Sequence, residues 1–262
     1  MTTPWAPGAL APLPGAASRA SMLASQLRTE LVLLLRNGEQ LLLTLVIPLG
    51  LLVVLTALDF VEVDGATTRG ERADFFVPGL MALAVMSTAF TGQAIGTGFE
   101  RQYGVLKRLG ATPLPRSVLL LAKTLAVLAV EVLQLSLIAG VGLALGWSPT
   151  GSPLAVVALV ALGTAAFSGL GLLLGGTLRG LTTLAAANLV WLVLLVLGGV
   201  VFPVDQLGPV AALAGLLPTA ALSDGLRAVL ADGSGVPLSS LAVLGAWAVA
   251  ALTAASRLFR WE

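Results

Sequence analysis

The sequence predicts an all-α membrane protein with six transmembrane helices, an N-terminal interfacial helix and a re-entrant or interfacial helical hairpin between spans five and six. Of its 262 residues, 57% are hydrophobic and only 10% are charged. A soluble domain carries about 25% charged residues, so this chain has too few to cover a water-exposed surface. Its long apolar runs must be helical, because lipid offers the backbone no hydrogen-bond partners.

The N-terminal region divides into two segments. Residues 1–17 are rich in Pro, Ala and Gly and lack a basic segment before an apolar core, which predicts a disordered tail rather than a cleaved signal peptide. Residues 18–38 are predicted to form an interfacial amphipathic helix, because leucines recur at helical spacing between Leu23 and Leu35. The alternative is a cytosolic extension of the first span. Charged residues interrupt the leucine pattern at Arg19, Arg28, Glu30 and Arg36.

The transmembrane domain is predicted to occupy residues 39–262. Each of its six apolar runs is long enough to cross roughly 30 Å of hydrocarbon as a helix. The predicted spans lie at about 41–58, 76–99, 117–146, 154–178, 181–202 and 238–256.

The basic residues of the loops predict the orientation, because Lys and Arg concentrate on the cytoplasmic side of membrane proteins. With the N-terminus inside, only Arg69, Arg72 and Arg227 lie outside. Both termini are then cytoplasmic. The Arg- and Ala-rich composition suggests a GC-rich bacterial genome. The expected location is therefore a bacterial plasma (inner) membrane, crossed several times. The basic residues at or near the cytoplasmic side are Arg19, Arg28, Arg36, Arg101, Lys107, Arg108, Arg116, Lys123, Arg179, Arg257 and Arg260.

The stretch after span five, about 203–232, begins and ends outside although much of it is apolar. Its best apolar run, 210–217, is too short to cross, which favours a re-entrant or interfacial hairpin. A plain outer loop is the alternative, but it would leave several leucines in water. The residues singled out in this region are Pro203, Asp205, Pro209, Pro218 and Arg227.

Several kinds of chemistry are excluded by the residues that the chain lacks. It contains no Cys and no His, so disulfides, thiolate or imidazole metal sites and Ser-His catalysis are not expected. It also lacks a P-loop, so it cannot cradle ATP phosphates in that manner. A membrane enzyme is the competing class, but no catalytic residue is predicted. No metal, no bound cofactor and no nucleic-acid partner are expected.

The segment from Phe99 to Arg116 is short, basic and predicted to be cytoplasmic. Leu106 and Leu109 are three residues apart and therefore share one helical face, with Lys107 and Arg108 beside them and Pro113 and Pro115 stopping the helix. This pattern predicts a short helix whose apolar ridge inserts into a groove on a partner. An ordinary positive-inside loop is the alternative.

This segment resembles the cytoplasmic loop of ABC-2 type permeases, whose pattern is Glu-Arg-Glu, any residue, Gly-Thr-Leu, then a Leu and a Thr-Pro followed by Arg. Gln102 and Val105 depart from the pattern, and the Ala-Thr-Pro form resembles the drug and antibiotic exporter branch. Stretches around Arg28, Pro48 and 200–209 are similar to other parts of the family. The matching residues are Glu100, Arg101, Gly104, Leu106, Leu109, Thr112, Pro113 and Arg116.

The resemblance implies the permease subunit of an ATP-binding-cassette exporter, moving a hydrophobic or amphiphilic compound such as a drug or antibiotic out across the plasma membrane. It also implies drug efflux and antibiotic resistance as the role, and a second permease, identical or homologous. ATP and Mg would bind two separate P-loop ATPase subunits, so this chain is not itself an enzyme. A lipid- or polysaccharide-exporting permease and a non-transporting anchor or sensor are the alternatives. The residues implied in coupling are those matching the pattern, together with Lys107 and Arg108.

Four polar residues within the predicted spans are candidates for a substrate path or for intramembrane pairing. Lys123, Glu131 and Gln134 lie within an arc of about 80° on span three, and Asn188 lies on span five. Lys123 is near the cytoplasmic end and can snorkel, whereas Glu131 is too deep to do so. The glycine pairs Gly92/Gly96 and Gly171/Gly175 predict close helix packing within the chain.

Overall fold

The computed structural model describes residues 17–58, 68–200, 208–233 and 235–259, except for the side chains of residues 39–41 and 43. These residues form helices and connecting turns and contain no strand. The α-helices are α1 (Arg19–Arg36), α2 (Gly38–Ala57), α3 (Arg69–Val85), α4 (Gln93–Gln102), α5 (Val105–Gly110), α6 (Arg116–Ala144), α7 (Pro153–Thr177), α8 (Gly180–Leu197), α9 (Ala211–Ala214), α10 (Pro218–Leu230) and α11 (Leu238–Leu258).

Five helices in the described ranges are long and apolar enough to cross a membrane. They are the continuous 34-residue stretch Arg69–Gln102, and α6, α7, α8 and α11. A π-helical segment, Met86–Gly92, joins α3 to α4 within the first of these. Helix α2 occupies the predicted first span, and its part from Thr44 to Ala57 is apolar. The prediction of an all-helical membrane protein is therefore confirmed, whereas the interfacial helices remain predictions.

The predicted hairpin region forms two helical pieces rather than one straight span. Gly208–Ala214 and α10 meet at an angle of 91°, with Pro218 as the first residue of α10. Proline is favoured at that position because its missing N–H would have no partner there. Pro209 lies in a short turn that precedes α9. Pro203 and Asp205 lie outside the described residues.

The chain alternates between two ends of the bundle. At one end the loop between α4 and α6 meets the α7–α8 turn, where Arg101 Nη1 donates to the carbonyl of Leu178 at 3.2 Å. At the other end the backbone N–H of Ser148 donates to Asp74 Oδ1 at 2.8 Å. Also at that end, Arg72 donates to the carbonyl of Leu55 at 2.8 Å. The loops predicted to be cytoplasmic thus gather at one end, and the described parts of those predicted to be external gather at the other.

The two glycine pairs differ in their packing. A Cβ added at Gly171 or Gly175 of α7 would lie 2.6 Å from a backbone oxygen of the π-helical segment or of α4. These glycines therefore allow close contact between helices, as predicted. Gly96 of α4 is different, because a Cβ added there would meet no atom of the described residues within 4 Å. The expectation that Gly96 lies at a tight helix contact is therefore wrong.

Helix α1 packs along α6 and ends before Asn37, which separates it from α2. Its first turn is capped by Ser18, whose hydroxyl accepts from the N–H of Ser21 at 3.3 Å. Glu30 is buried against the bundle, whereas Leu33 and Leu35 are exposed. Helix α1 therefore turns Glu30 inward and exposes a mixture of apolar side chains, such as Leu33, and basic ones, such as Arg28.

Candidate functional site

The loop that joins α4 to α6 contains the short helix α5. The chain turns at Gly104, whose φ of 72° lies in the left-handed region that glycine adopts without strain. After α5, the Thr112 hydroxyl donates to the carbonyl of Leu109 at 2.6 Å, and Pro115 precedes the first residue of α6. Helix α5 therefore ends at Gly110, before the predicted stop at Pro113.

The two leucines of α5 face the interior of the chain. Leu106 is 0% exposed, and Leu109 is partly buried against the same apolar cluster. Leu106 is therefore not available to a partner, and Leu109 is only partly so, because both side chains pack α5 against its own bundle. The expected two-leucine ridge is not exposed as predicted. The buried members of the cluster are Leu106, Leu119, Leu120, Leu172, Ala255 and Phe259.

The outward side of the loop carries a different set of residues. Tyr103 is 69% exposed, and its ring stacks on that of Phe99 with centroids 6.1 Å apart. Val105, Lys107 and Arg108 are also exposed. We call Tyr103, Val105, Lys107 and Arg108 the loop face. Its aromatic and apolar members were missed from the sequence, although an exposed tyrosine in a short basic loop is a usable signal.

The start of the loop, at the end of α4, is hydrogen-bonded to two neighbouring helices. Arg101 Nη1 donates to the carbonyls of Gly176 and Leu178 at 3.4 and 3.2 Å, at the end of α7. Lys123 Nζ of α6 donates to Glu100 Oε1 at 2.7 Å. Glu100 and Arg101, both predicted coupling residues, therefore connect the loop to α6 and α7. Arg116, at the start of α6, is exposed at the far end of the loop.

Lys123 is the centre of a buried ion network. Its Nζ donates to Glu30 Oε2 at 2.9 Å as well as to Glu100. Glu30 Oε1 also accepts from Gln26 Nε2 at 2.8 Å. The expected snorkelling of Lys123 is not observed, because the side chain is 5% exposed and pairs inside the chain. Glu30 was missed as its partner because it lies 93 residues away in sequence.

Glu131 and Gln134 share a helix with Lys123 but contact different neighbours. Glu131 Oε2 accepts a hydrogen bond from the hydroxyl of Thr164 on α7, while its Oε1 has no partner among the described residues. Gln134 Nε2 donates to the carbonyl of Thr44 on α2, and its Oε1 accepts from Thr88 at 3.0 Å. The structure therefore places the three residues in separate contacts between helices.

The remaining predicted residues lie elsewhere. Asn188 is exposed on α8, between the exposed side chains of Leu181 and Leu192. Arg227 of α10 donates to the carbonyls of Gly199 and Val200, the second at 2.7 Å. Its guanidinium carbon also lies 4.5 Å from the centre of the Phe75 ring. Arg227 therefore ties α10 to the end of α8 and to α3.

Comparison with protein families matches residues 23–231 to the family described as ABC-2 type transporter. The matched range begins in α1, ends just after α10 and includes the whole loop with α5. A search of curated proteins gives no match. Because the match covers most of the chain and agrees with the loop pattern, the chain belongs to the ABC-2 type transporter family.

Proposed function

We propose that this permease is the membrane subunit of an ATP-driven exporter whose ATPase docks on the loop face. The main support for this proposal is that the inner and outer sides of α5 differ. Its inner side is held by an apolar cluster from α6, α7 and α11, while its outer side exposes aromatic, apolar and basic residues. A partner that moves the loop face would therefore move these helices, since packed interiors transmit displacement.

The finer assignments follow the same proposal. ATP and Mg bind the ATPase subunits, two per complex, and both termini of the permease are cytoplasmic. The cargo is a hydrophobic or amphiphilic compound such as a drug or antibiotic, supported by the resemblance of the loop to that exporter branch. A second permease packs in the membrane, and the exposed apolar side of α8 with Asn188 is a suitable surface for it.

The test is reconstitution of the tagged permease with a candidate P-loop ATPase. The two proteins should co-purify in detergent, and ATP should drive uptake of a hydrophobic dye into inside-out proteoliposomes. Vesicles with the permease alone, or with an ATPase whose P-loop lysine is replaced, are the controls. The candidates are the P-loop ATPases encoded by genes that neighbour the permease gene. If none of them binds the permease and none supports dye uptake, the exporter proposal fails.

A further inference from the structure

A crevice of about 150 Å³ lies between α1 and α4, above Lys123 of α6. Its lining is partly apolar and includes the exposed Leu33 and half-buried Leu34 of α1 and the buried Val127 of α6. Its wall on α4 is polar and contains Gln93, Thr97 and Glu100. Drug-sized ligands usually occupy pockets of about 300–1,000 Å³, so this crevice fits a small head group rather than a whole drug.

The formal charges of the described residues that line the crevice do not balance. Glu30 and Glu100 each bring a carboxylate, and Lys123 is the single cation among the lining residues. Lys123 Nζ is shared between them, at 2.9 Å from Glu30 and 2.7 Å from Glu100. A partly buried carboxylate is stabilised by a second positive charge, so the crevice favours a cationic ligand.

Two buried oxygen atoms on the wall of the crevice point to the same conclusion. Glu100 Oε2 and the hydroxyl of Thr97 have no hydrogen-bond partner among the described residues. Thr97 is 1% exposed. The two residues are three positions apart on α4, so they share one face of the helix. A carboxylate oxygen of this kind requires a donor, and a buried oxygen without one costs free energy.

We propose that the crevice between α1 and α4 binds the primary ammonium group of an amphiphile. A primary ammonium supplies the missing charge and three N–H donors, which suit Glu100 Oε2 and Thr97 Oγ1. A quaternary ammonium supplies the charge without donors, so it should bind more weakly. Leu33 and Leu34, which also line the crevice, would contact the start of the alkyl chain. The ammonium comes either from a lipid head group or from a free alkylamine.

Gly96 offers a reporter position that leaves every charged group intact. It lines the crevice, it is exposed, and the described part of the chain leaves the space within 4 Å of an added Cβ empty. Because the chain contains no Cys, Gly96→Cys provides a single thiol. Gly140→Cys on α6 is the matched control, since Gly140 is also exposed with open space and does not line the crevice.

The experiment measures the rate at which a methanethiosulfonate reagent modifies each thiol in phosphatidylcholine nanodiscs. Dodecylammonium should slow modification of Gly96→Cys by about tenfold or more, and dodecyltrimethylammonium should slow it less. Dodecyl maltoside and dodecyl phosphate should have little effect, and Gly140→Cys should not respond. Slower modification in discs containing phosphatidylethanolamine, without added amine, would identify the lipid as a source of the ammonium.

Two further substitutions, each added to Gly96→Cys, test whether ammonium binding depends on the proposed contacts and not merely on correct folding. Glu100→Gln in the Gly96→Cys background should abolish the protection by dodecylammonium, while the isosteric Thr97→Val should weaken it and leave the ion network intact. Equal protection by the neutral maltoside, or equal protection at Gly140→Cys, would overturn the proposal. So would protection by sodium chloride alone, or protection that survives in both second-site variants.

Discussion

Lys123 Nζ lies 2.7 Å from Glu100 Oε1, so a cation of α6 holds the carboxylate at the root of the α5 loop. The same Nζ contacts Glu30 of α1 at 2.9 Å. One buried side chain therefore connects α1, α4 and α6 near the end of the bundle that carries the loop face. A displacement of α4 by a bound ATPase would have to stretch or break this network.

The first prediction concerns removal of the central cation. Lys123→Met leaves two carboxylates without their partner and should destabilise the protein by about 3–5 kcal/mol. The triple variant Lys123→Met, Glu30→Gln, Glu100→Gln removes all three charges and should recover most of that loss. Thermal unfolding of the purified permease measures both effects. If Lys123→Met were as stable as the native protein, the ion network would not be holding these helices together.

The second prediction concerns the inward side of α5. Leu106→Ala removes a fully buried side chain and should cost about 2–5 kcal/mol by opening a cavity. Thermal unfolding should show this loss in the absence of any ATPase, because the contacts of Leu106 lie within the chain. Val105→Ala is the matched control, since Val105 is exposed in the same helix. If both variants unfold at the native temperature, α5 is not fastened to the bundle as described.

The third prediction concerns the outward side. Lys107→Glu with Arg108→Glu reverses two exposed charges and should change thermal stability by no more than about 1 kcal/mol, because contacts of exposed charges contribute little. Binding of a partner ATPase should weaken by tenfold or more, about 1.4 kcal/mol or more, mainly through slower association. Surface plasmon resonance at two salt concentrations measures this change. Arg69→Glu at the opposite end of the bundle is the control, and equal weakening there would contradict docking on the loop face.

Sequence patterns predicted which helices form this site better than they predicted which way the side chains of those helices face. The spacing of Leu106 and Leu109 correctly predicted that they share one helical face. The same spacing, however, is compatible both with packing against the chain's own helices and with insertion into a partner. Only the position of α5 against α6, α7 and α11 distinguishes the two. Similarly, the position of Lys123 near a helix end is compatible with snorkelling until α1 is known to lie beside it.

The helices themselves were largely predictable because lipid solvation demands long apolar runs. The pairing of Lys123 with Glu30 was not, since their separation of 93 residues hides the contact from any local pattern. The open space beside Gly96 was also not predictable, because it depends on where the other helices lie and not on the local sequence. A glycine pair produces close contact only where another helix lies opposite. In the described ranges, no atom lies within 4 Å of a Cβ placed at Gly96.

The fourth prediction tests which end of the bundle faces the cytoplasm. Because the chain has no native Cys, Ser148→Cys and Ala111→Cys each introduce one thiol, both at exposed positions on opposite ends. An impermeant maleimide should label Ser148→Cys in intact cells and label Ala111→Cys only after permeabilisation. The basic residues near Ala111 motivate this orientation. The opposite labelling pattern would place the loop face outside and remove it from any cytoplasmic ATPase.

The last prediction concerns Glu131, which is 0% exposed and accepts a hydrogen bond from Thr164 between α6 and α7. We expect it to hold these helices together, because its contacts lie within the chain and it does not line the crevice described above. Glu131→Gln keeps the shape and the contact with Thr164, so stability and transport should both stay at native levels.

Glu131→Ala provides the contrast, since it leaves a cavity and an unsatisfied Thr164 hydroxyl and should cost at least about 1–3 kcal/mol. Thermal unfolding and dye uptake by proteoliposomes measure the two properties separately. Loss of uptake in Glu131→Gln with unchanged thermal stability would contradict the structural role. It would show that the charge or proton of Glu131 acts on the cargo path, because the shape and packing of that variant are preserved.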